Sequence, residues 1–217
     1  MTLIEELKHA IIDVHPQKAE ETTYALLTQG VGAADILNQA LIPGMDEVGR
    51  LFKEGEYYVP EVLVAAKAMN AILSLIEPLL VQGGVPRRGK IVVGTIEGDL
   101  HDIGKNLVSM MLKGAGYTII DLGVDVNADR FVEAVQKEKP DYVAISALLT
   151  STMVNIPTVI RSLQTAGLRN RVKVLVGGAP LTRAYAEEIG ADGYAPDASE
   201  AVSLVRQMDQ ARAGTCS

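Results

Sequence analysis

The chain has 217 residues with 27 acidic against 20 basic side chains, a formal net charge of −7 and a pI near 5.0. That balance argues against a phosphate backbone as the main partner, so no nucleic acid is expected. Hydrophobic residues make up 48% and charged residues 22%, the profile of a soluble globular chain, and one cysteine, Cys216, excludes an internal disulfide or a cysteine-based zinc site.

No apolar run approaches the roughly 18 residues of a membrane span, and Met1-Thr2-Leu3-Ile4-Glu5-Glu6 is not a signal peptide. A cytoplasmic protein with no membrane partner is the expectation. Aromatic content is only 4% and tryptophan is absent, so the core must come from Leu, Ile, Val, Ala and Met.

Residues 1 to about 82 carry helical periodicity only. Leu3, Ile4, Leu7, Ile11 and Val14 mark a first helix, and Pro16 to Gln29 a second, punctuated by proline before and by Gly30 and Gly32 after. A third spans about Ala33 to Lys53. The fourth carries Val62, Ala65, Ala66, Met69, Ile72, Leu73, Ile76, Leu79 and Leu80. The glycine- and proline-rich stretch from Gln82 to Gly89 breaks every pattern and reads as a linker, which predicts a helical domain over 1–82, a linker over 83–89 and a second domain over 90–217.

From Lys90 onward, apolar strands at about 90–96, 117–122, 141–147, 172–177 and 192–195 alternate with helical patterns. Strands separated by helices predict an α/β domain with a five-stranded parallel sheet covered on both faces. Its expected class is doubly wound and flavodoxin-like (Rossmann-like), and its crevice opens where the first and third strands end.

The first strand runs into Glu97-Gly98-Asp99-Leu100-His101-Asp102-Ile103-Gly104-Lys105-Asn106. An Asp-x-His pair in such a loop can give a metal a nitrogen ligand whose other ring nitrogen is held by a carboxylate. On the residues alone, His101 reads first as a capping or hydrogen-bonded loop histidine, and Asp102 as an N-cap for the next helix. Asp99 is harder to dismiss, because a carboxylate buried beside an imidazole needs a reason.

A phosphate-loop reading fails. Five residues rather than four separate Gly98 from Gly104, Asn106 stands where Ser or Thr should be, and no GxGxxG follows the first strand. Three dispersed histidines are too few for a protein-only metal cage, so any metal must bring most of its ligands in an organic cofactor.

Asp99-x-His101-x-x-Gly104, then Ser146-x-Leu148, then Gly177-Gly178 resemble the cobalamin-binding signature of methionine synthase and of the corrinoid methyl-carrier proteins of three-component methyltransferase systems. The helical half is similar too, through Gly44-Met45, Val48-Gly49, Leu51-Phe52, Glu54-Gly55 and Val59-Pro60, so the likeness runs from about Thr2 to Met208. It implies a four-helix-bundle cap on a flavodoxin-like cobalamin domain, with Phe52 and Val59 over the corrin.

It also implies methylcobalamin or a related corrinoid bound base-off, His-on. His101 would be the cobalt ligand, and Asp99 and Thr152 would complete the triad behind it. The loop Gly98, Asp99, Leu100, His101, Asp102, Ile103, Gly104 would meet the corrin. Ser146, Thr150, Gly177 and Gly178 would line the slot for the displaced base, Leu148 would also meet the cofactor, and Ala198 would lie near the rim. An axial base whose basicity a carboxylate tunes helps cobalt cycle between oxidation states.

By the same resemblance the protein carries a methyl group and is not a complete enzyme alone. A substrate-specific methyltransferase would load it, from a methylamine, methanol, a betaine or an aryl methyl ether. A second methyltransferase would deliver the methyl to tetrahydrofolate or coenzyme M, and a reductive activase would restore the cobalt. The rivals are a mutase subunit, which shares the histidine motif but not the helical half, and a cobalamin-dependent sensor or regulator, which needs a DNA-binding segment. A response-regulator-like domain would instead need an acidic cluster around the first strand.

Overall fold

The first helix is set by a reciprocal cap. The hydroxyl of Thr2 accepts the amide of Glu5 at 3.2 Å, and the Glu5 carboxylate accepts the amide of Thr2 at 2.7 Å. The computed structural model describes residues 1–82 and 88–214, so most of the expected linker, and Cys216, lie outside the described residues. Two compact units divide the chain: Met1–Arg87 with Lys113–Gly116, and Arg88–Leu112 with Tyr117–Ser217.

In the helical unit, α1 (Leu3–Ile12) buries Leu7, Ala10 and Ile11, and α2 (Pro16–Thr28) buries Ala19, Thr22, Thr23 and Leu26. The third helical stretch is continuous but not uniform: α3 (Ala33–Asp35), a π segment (Ile36–Leu41) and α4 (Ile42–Lys53). Pro43 has no amide to donate, and its ring crowds the carbonyl four residues back. The wide turn just before it, with the Ile42 amide donating to Leu37 O, relieves that crowding.

The last helix of this unit, α5 (Val59–Gln82), has 24 residues. It corrects the expectation that no run reaches membrane-span length. Val59–Leu80 passes by length and composition, with a mean hydropathy of 1.6. Counting uninterrupted apolar residues overlooked it, because Glu61, Lys67, Asn70, Ser74 and Glu77 break the stretch. One stripe, which includes Val62, Ala65, Met69, Ile72 and Ile76, is buried, whereas Leu63, Val64 and Leu79 are exposed.

The second unit is a five-stranded parallel sheet of order β2-β1-β3-β4-β5, as the alternating pattern predicts. Its strands are β1 (Lys90–Thr95), β2 (Thr118–Asp121), β3 (Tyr142–Ser146), β4 (Lys173–Gly177) and β5 (Gly193–Ala195). The connecting helices are α6 (Ile103–Gly114), α7 (Ala128–Glu138), α8 (Thr150–Met153), α9 (Ile156–Thr165), α10 (Arg183–Glu188) and α11 (Ala198–Gly214).

One sheet face carries Val92, Ile96, Val143, Ile145, Val174 and Val176, packed with Phe131, Val159, Ile160 and Leu163 of α7 and α9. Gly94 belongs to that face, where an added β-carbon would lie 2.8 Å from Phe131 Cζ. By strand alternation the opposite face carries Thr95, Ala144, Ser146 and Gly177. The chain leaves β1 toward β2, then returns across the sheet to β3. The carboxyl ends of β1 and β3 therefore form the switch point, and their register places Thr95 against Ser146 and Ser146 against Gly177.

Candidate functional site

Gly98 turns the chain just beyond β1 with φ +84°, a left-handed conformation that glycine adopts without strain. This turn sends Asp99 inward, where it is fully buried. A buried carboxylate needs partners, and Asp99 has four. Oδ1 accepts the His101 amide at 3.0 Å and contacts His101 Nδ1 at 2.7 Å. Oδ2 accepts the Leu148 amide at 2.7 Å and the Thr152 hydroxyl at 2.8 Å.

Burial alone would push the Asp99 carboxyl up. The amides of Leu148 and His101, the His101 ring and the Thr152 hydroxyl outweigh it and hold the group well below the usual carboxylate range. An ionised carboxylate only accepts hydrogen bonds, so Nδ1 of the neutral imidazole must carry the proton. Nε2 then keeps its lone pair and has no hydrogen-bond partner among the described residues, on a side chain that is 51% exposed. The arrangement presents one oriented nitrogen donor.

Apolar side chains surround this loop at the carboxyl edge of the sheet. Leu100 and Ile103 are 71% and 76% exposed, and Leu148 and Leu149 also stand out from the surface. Among the described residues no group of three or more His, Cys, Asp or Glu side chains could hold a metal ion. A metal held by Nε2 must therefore arrive with its other ligands.

The slot residues lie beneath the loop after β3. Ala144 and Ser146 are only half-buried, although β3 is the central strand and is paired on both sides. Gly177, at the end of β4, and Gly178 are likewise half-buried. A β-carbon at Gly177 would stand 2.8 Å from Ala195 O, and one at Gly178 would fall 1.9 Å from Ala147 O.

The structure thus brings Gly98, Asp99, Leu100, His101, Ile103, Leu148 and Thr152 together, with Gly104, Ser146, Gly177 and Gly178 on the same carboxyl edge. Thr150 is exposed at the start of α8. Ala198 is buried at the start of α11, 3% exposed, so its methyl faces the protein. Phe52 and Val59 are half-buried in the helical unit. Asp102 precedes α6 but caps no amide of the first turn, because its carboxylate accepts the Asn106 side-chain amide at 3.0 Å instead.

Four supporting residues escaped the sequence reading. The fully buried Thr95 donates its hydroxyl to the His101 carbonyl at 3.0 Å. Asn155 donates to Glu97 O at 3.1 Å, and Asp125 Oδ1 accepts the Gly98 amide at 2.7 Å. Lys105 is buried in the first turn of α6, paired with Asp121 and with Asn106 Oδ1. Only Thr95 left a trace in the sequence, as a polar residue ending an apolar strand.

A doubly wound domain with a histidine loop at its switch point, apolar surface around it and a strip of small residues below defines a binding protein for a flat, metal-bearing organic cofactor. Comparison with known proteins gives the family. Residues 89–203 match the B12 binding domain, and residues 3–77 match a second B12 binding domain family.

The chain is 41% identical over 211 residues to a corrinoid protein of Desulfitobacterium hafniense, covering 96% of this chain and 98% of the relative. It is 42% identical over 206 residues to the trimethylamine corrinoid protein of Methanosarcina barkeri, covering 94% and 95%. In structure it is similar to the methanol:cobalamin methyltransferase complex MtaBC of Methanosarcina barkeri, with a TM-score of 0.83 and 32% identity over 96% of this chain and 80% of that one. This chain belongs to the B12-binding corrinoid proteins.

Proposed function

We propose that this protein binds cobalamin or a related corrinoid base-off, with His101 Nε2 on the cobalt, and carries a methyl group between two methyltransferases. One would be specific for a methyl donor, and the other would deliver to tetrahydrofolate or coenzyme M, with a reductive activase as third partner. Relatives named for trimethylamine and dimethylamine, and the likeness to the methanol:cobalamin complex, support a simple methylated donor. The protein is then a carrier subunit and not a complete enzyme.

The observation that carries this reading is the Asp99–His101 pair, already formed, with Nε2 outward. When bound, the cofactor's cobalt supplies the methyl-accepting and methyl-donating chemistry. Asp99 holds the Nδ1 proton, fixes the imidazole tautomer and strengthens Nε2 as a donor. Thr152 and the Leu148 amide keep Asp99 ionised by satisfying its second oxygen. Leu100, Ile103, Leu148 and Leu149 suit the apolar face of a macrocycle and exclude water from it. The strip of Ala144, Ser146, Gly177 and Gly178 leaves room for a displaced nucleotide tail.

Reconstitution with cobalamin tests the reading. Electron paramagnetic resonance of the Co(II) form should show axial nitrogen splitting that survives when the cofactor's own base is not the nitrogen source, and His101→Ala should abolish it. An unchanged spectrum in that variant overturns the ligand assignment.

A further inference from the structure

Asp125 lies between β2 and α7 with φ +54°, a left-handed backbone that a β-carbon disfavours. The chain on either side keeps it there. The Thr95 amide donates to Gly123 O at 3.0 Å and the Val126 amide donates to Thr95 O at 2.9 Å, so both flanks are stitched to the end of β1. A turn needing only this backbone would accept glycine, as at Gly123 with φ +87°. The carboxylate of Asp125 therefore has a task of its own.

Its contacts show the task. Oδ1 accepts the Gly98 amide at 2.7 Å, and the Asp125 amide donates to the Asp99 carbonyl at 3.0 Å. These two bonds grip the backbone of Gly98 and Asp99 from outside. Asp99 is the residue whose side chain aims His101, so a twist in this two-residue backbone would swing both groups. The Gly98 bond is charge-assisted, the stronger kind of hydrogen bond for holding a glycine turn.

We propose that Asp125 is a positioning residue for the cobalt-ligating histidine, acting through the backbone of Gly98 and Asp99, an inference that rests on His101 being that ligand. It touches neither the imidazole nor the cofactor's metal. It sets the direction of Asp99 from a loop that belongs to a different strand.

Two variants separate the carboxylate from the backbone strain. Asp125→Gly removes the acceptor while relieving the left-handed conformation, so the protein stays folded. Asp125→Asn keeps an acceptor oxygen and tolerates the same backbone. In cobalamin-loaded protein, Asp125→Gly should raise the histidine-off fraction of Co(II) by about threefold or more, read from loss of axial nitrogen splitting, and Asp125→Asn should restore most of it.

A cofactor-free readout accompanies this. The Nδ1 proton of His101 bridging to Asp99 should give a downfield proton resonance in the apoprotein, broadened by solvent exchange in Asp125→Gly and sharp in Asp125→Asn. Unchanged spectra in Asp125→Gly by both methods overturn the inference while leaving the ligand assignment standing. A wild-type Co(II) spectrum without axial nitrogen overturns the ligand assignment instead, and the apoprotein resonance then decides whether Asp125 positions the Asp99–His101 pair.

Discussion

The Thr152 hydroxyl donates to Asp99 Oδ2 at 2.8 Å across 53 residues of chain, tying the start of α8 to the loop after β1. The same hydroxyl lies 3.0 Å from Leu149 O, but it has a single proton, and the ionised carboxylate is the stronger acceptor. Through this bond the two loops of the switch point share one charge.

Thr152→Val should therefore destabilise the protein by about 1.5–3 kcal/mol, the range for a buried hydrogen bond to a charged group. Thr152→Ser, which keeps the hydroxyl, should lose less than about 1 kcal/mol. Urea unfolding measures both. A loss in Thr152→Ser as large as or larger than that in Thr152→Val would show that the bond with Asp99 is not the main contribution of this side chain.

Asp99 also predicts an acid dependence. Its carboxyl is held below the ordinary value of 3.8, so its contribution to stability is fully present above that pH and fades as pH falls through the lowered folded value. Asp99→Asn removes the contribution at every pH. The stability gap between wild type and variant should be constant near neutrality and narrow steadily below about pH 4. A gap that stays constant in acid would show that folding does not lower the Asp99 carboxyl below its ordinary value.

Gly178→Ala should cost about 2–4 kcal/mol, because φ is +128° and the new carbon would fall 1.9 Å from the Ala147 carbonyl, which is backbone and cannot swing away. Gly177→Ala, whose clash with Ala195 O is 2.8 Å, should cost less. Both should weaken cobalamin more than cobinamide, which lacks the nucleotide tail. Equal weakening for the two ligands would remove this strip from the tail slot.

The Lys105–Asp121 pair should behave asymmetrically. Lys105 is 2% exposed along its side chain, whereas Asp121 is 41% exposed. Asp121→Asn leaves a buried ammonium without its anion and should cost about 2–3 kcal/mol. Lys105→Met replaces the buried charge by apolar volume, water solvates Asp121, and the change should stay within about 1 kcal/mol. Urea denaturation of the two variants checks the order; the reverse order would mean that the buried ammonium is held favourably without the Asp121 charge, for example by Asn106 Oδ1.

The amino-acid order by itself determined the architecture of the α/β unit. Apolar runs such as Ile91–Val93 and Val174–Val176 are buried on both faces of a parallel sheet, so periodicity was enough to place the strands within a residue or two. Asp99, His101, Gly177 and Gly178 stood out together through their resemblance to a cobalamin-binding signature, since a lone loop histidine or a glycine turn by itself has an ordinary structural reading.

Only the tertiary structure decided how the histidine is held. Thr95, Asp125 and Asn155 act on this loop across 6, 27 and 58 residues, joined because parallel strands deliver their carboxyl ends to one edge. Such contacts leave no periodic trace, since each is a single polar side chain at a strand end, a helix start or a loop. The buried Lys105 stayed hidden for the same reason: lysine at the start of a helix reads as solvated until Asp121, sixteen residues on, is folded against it.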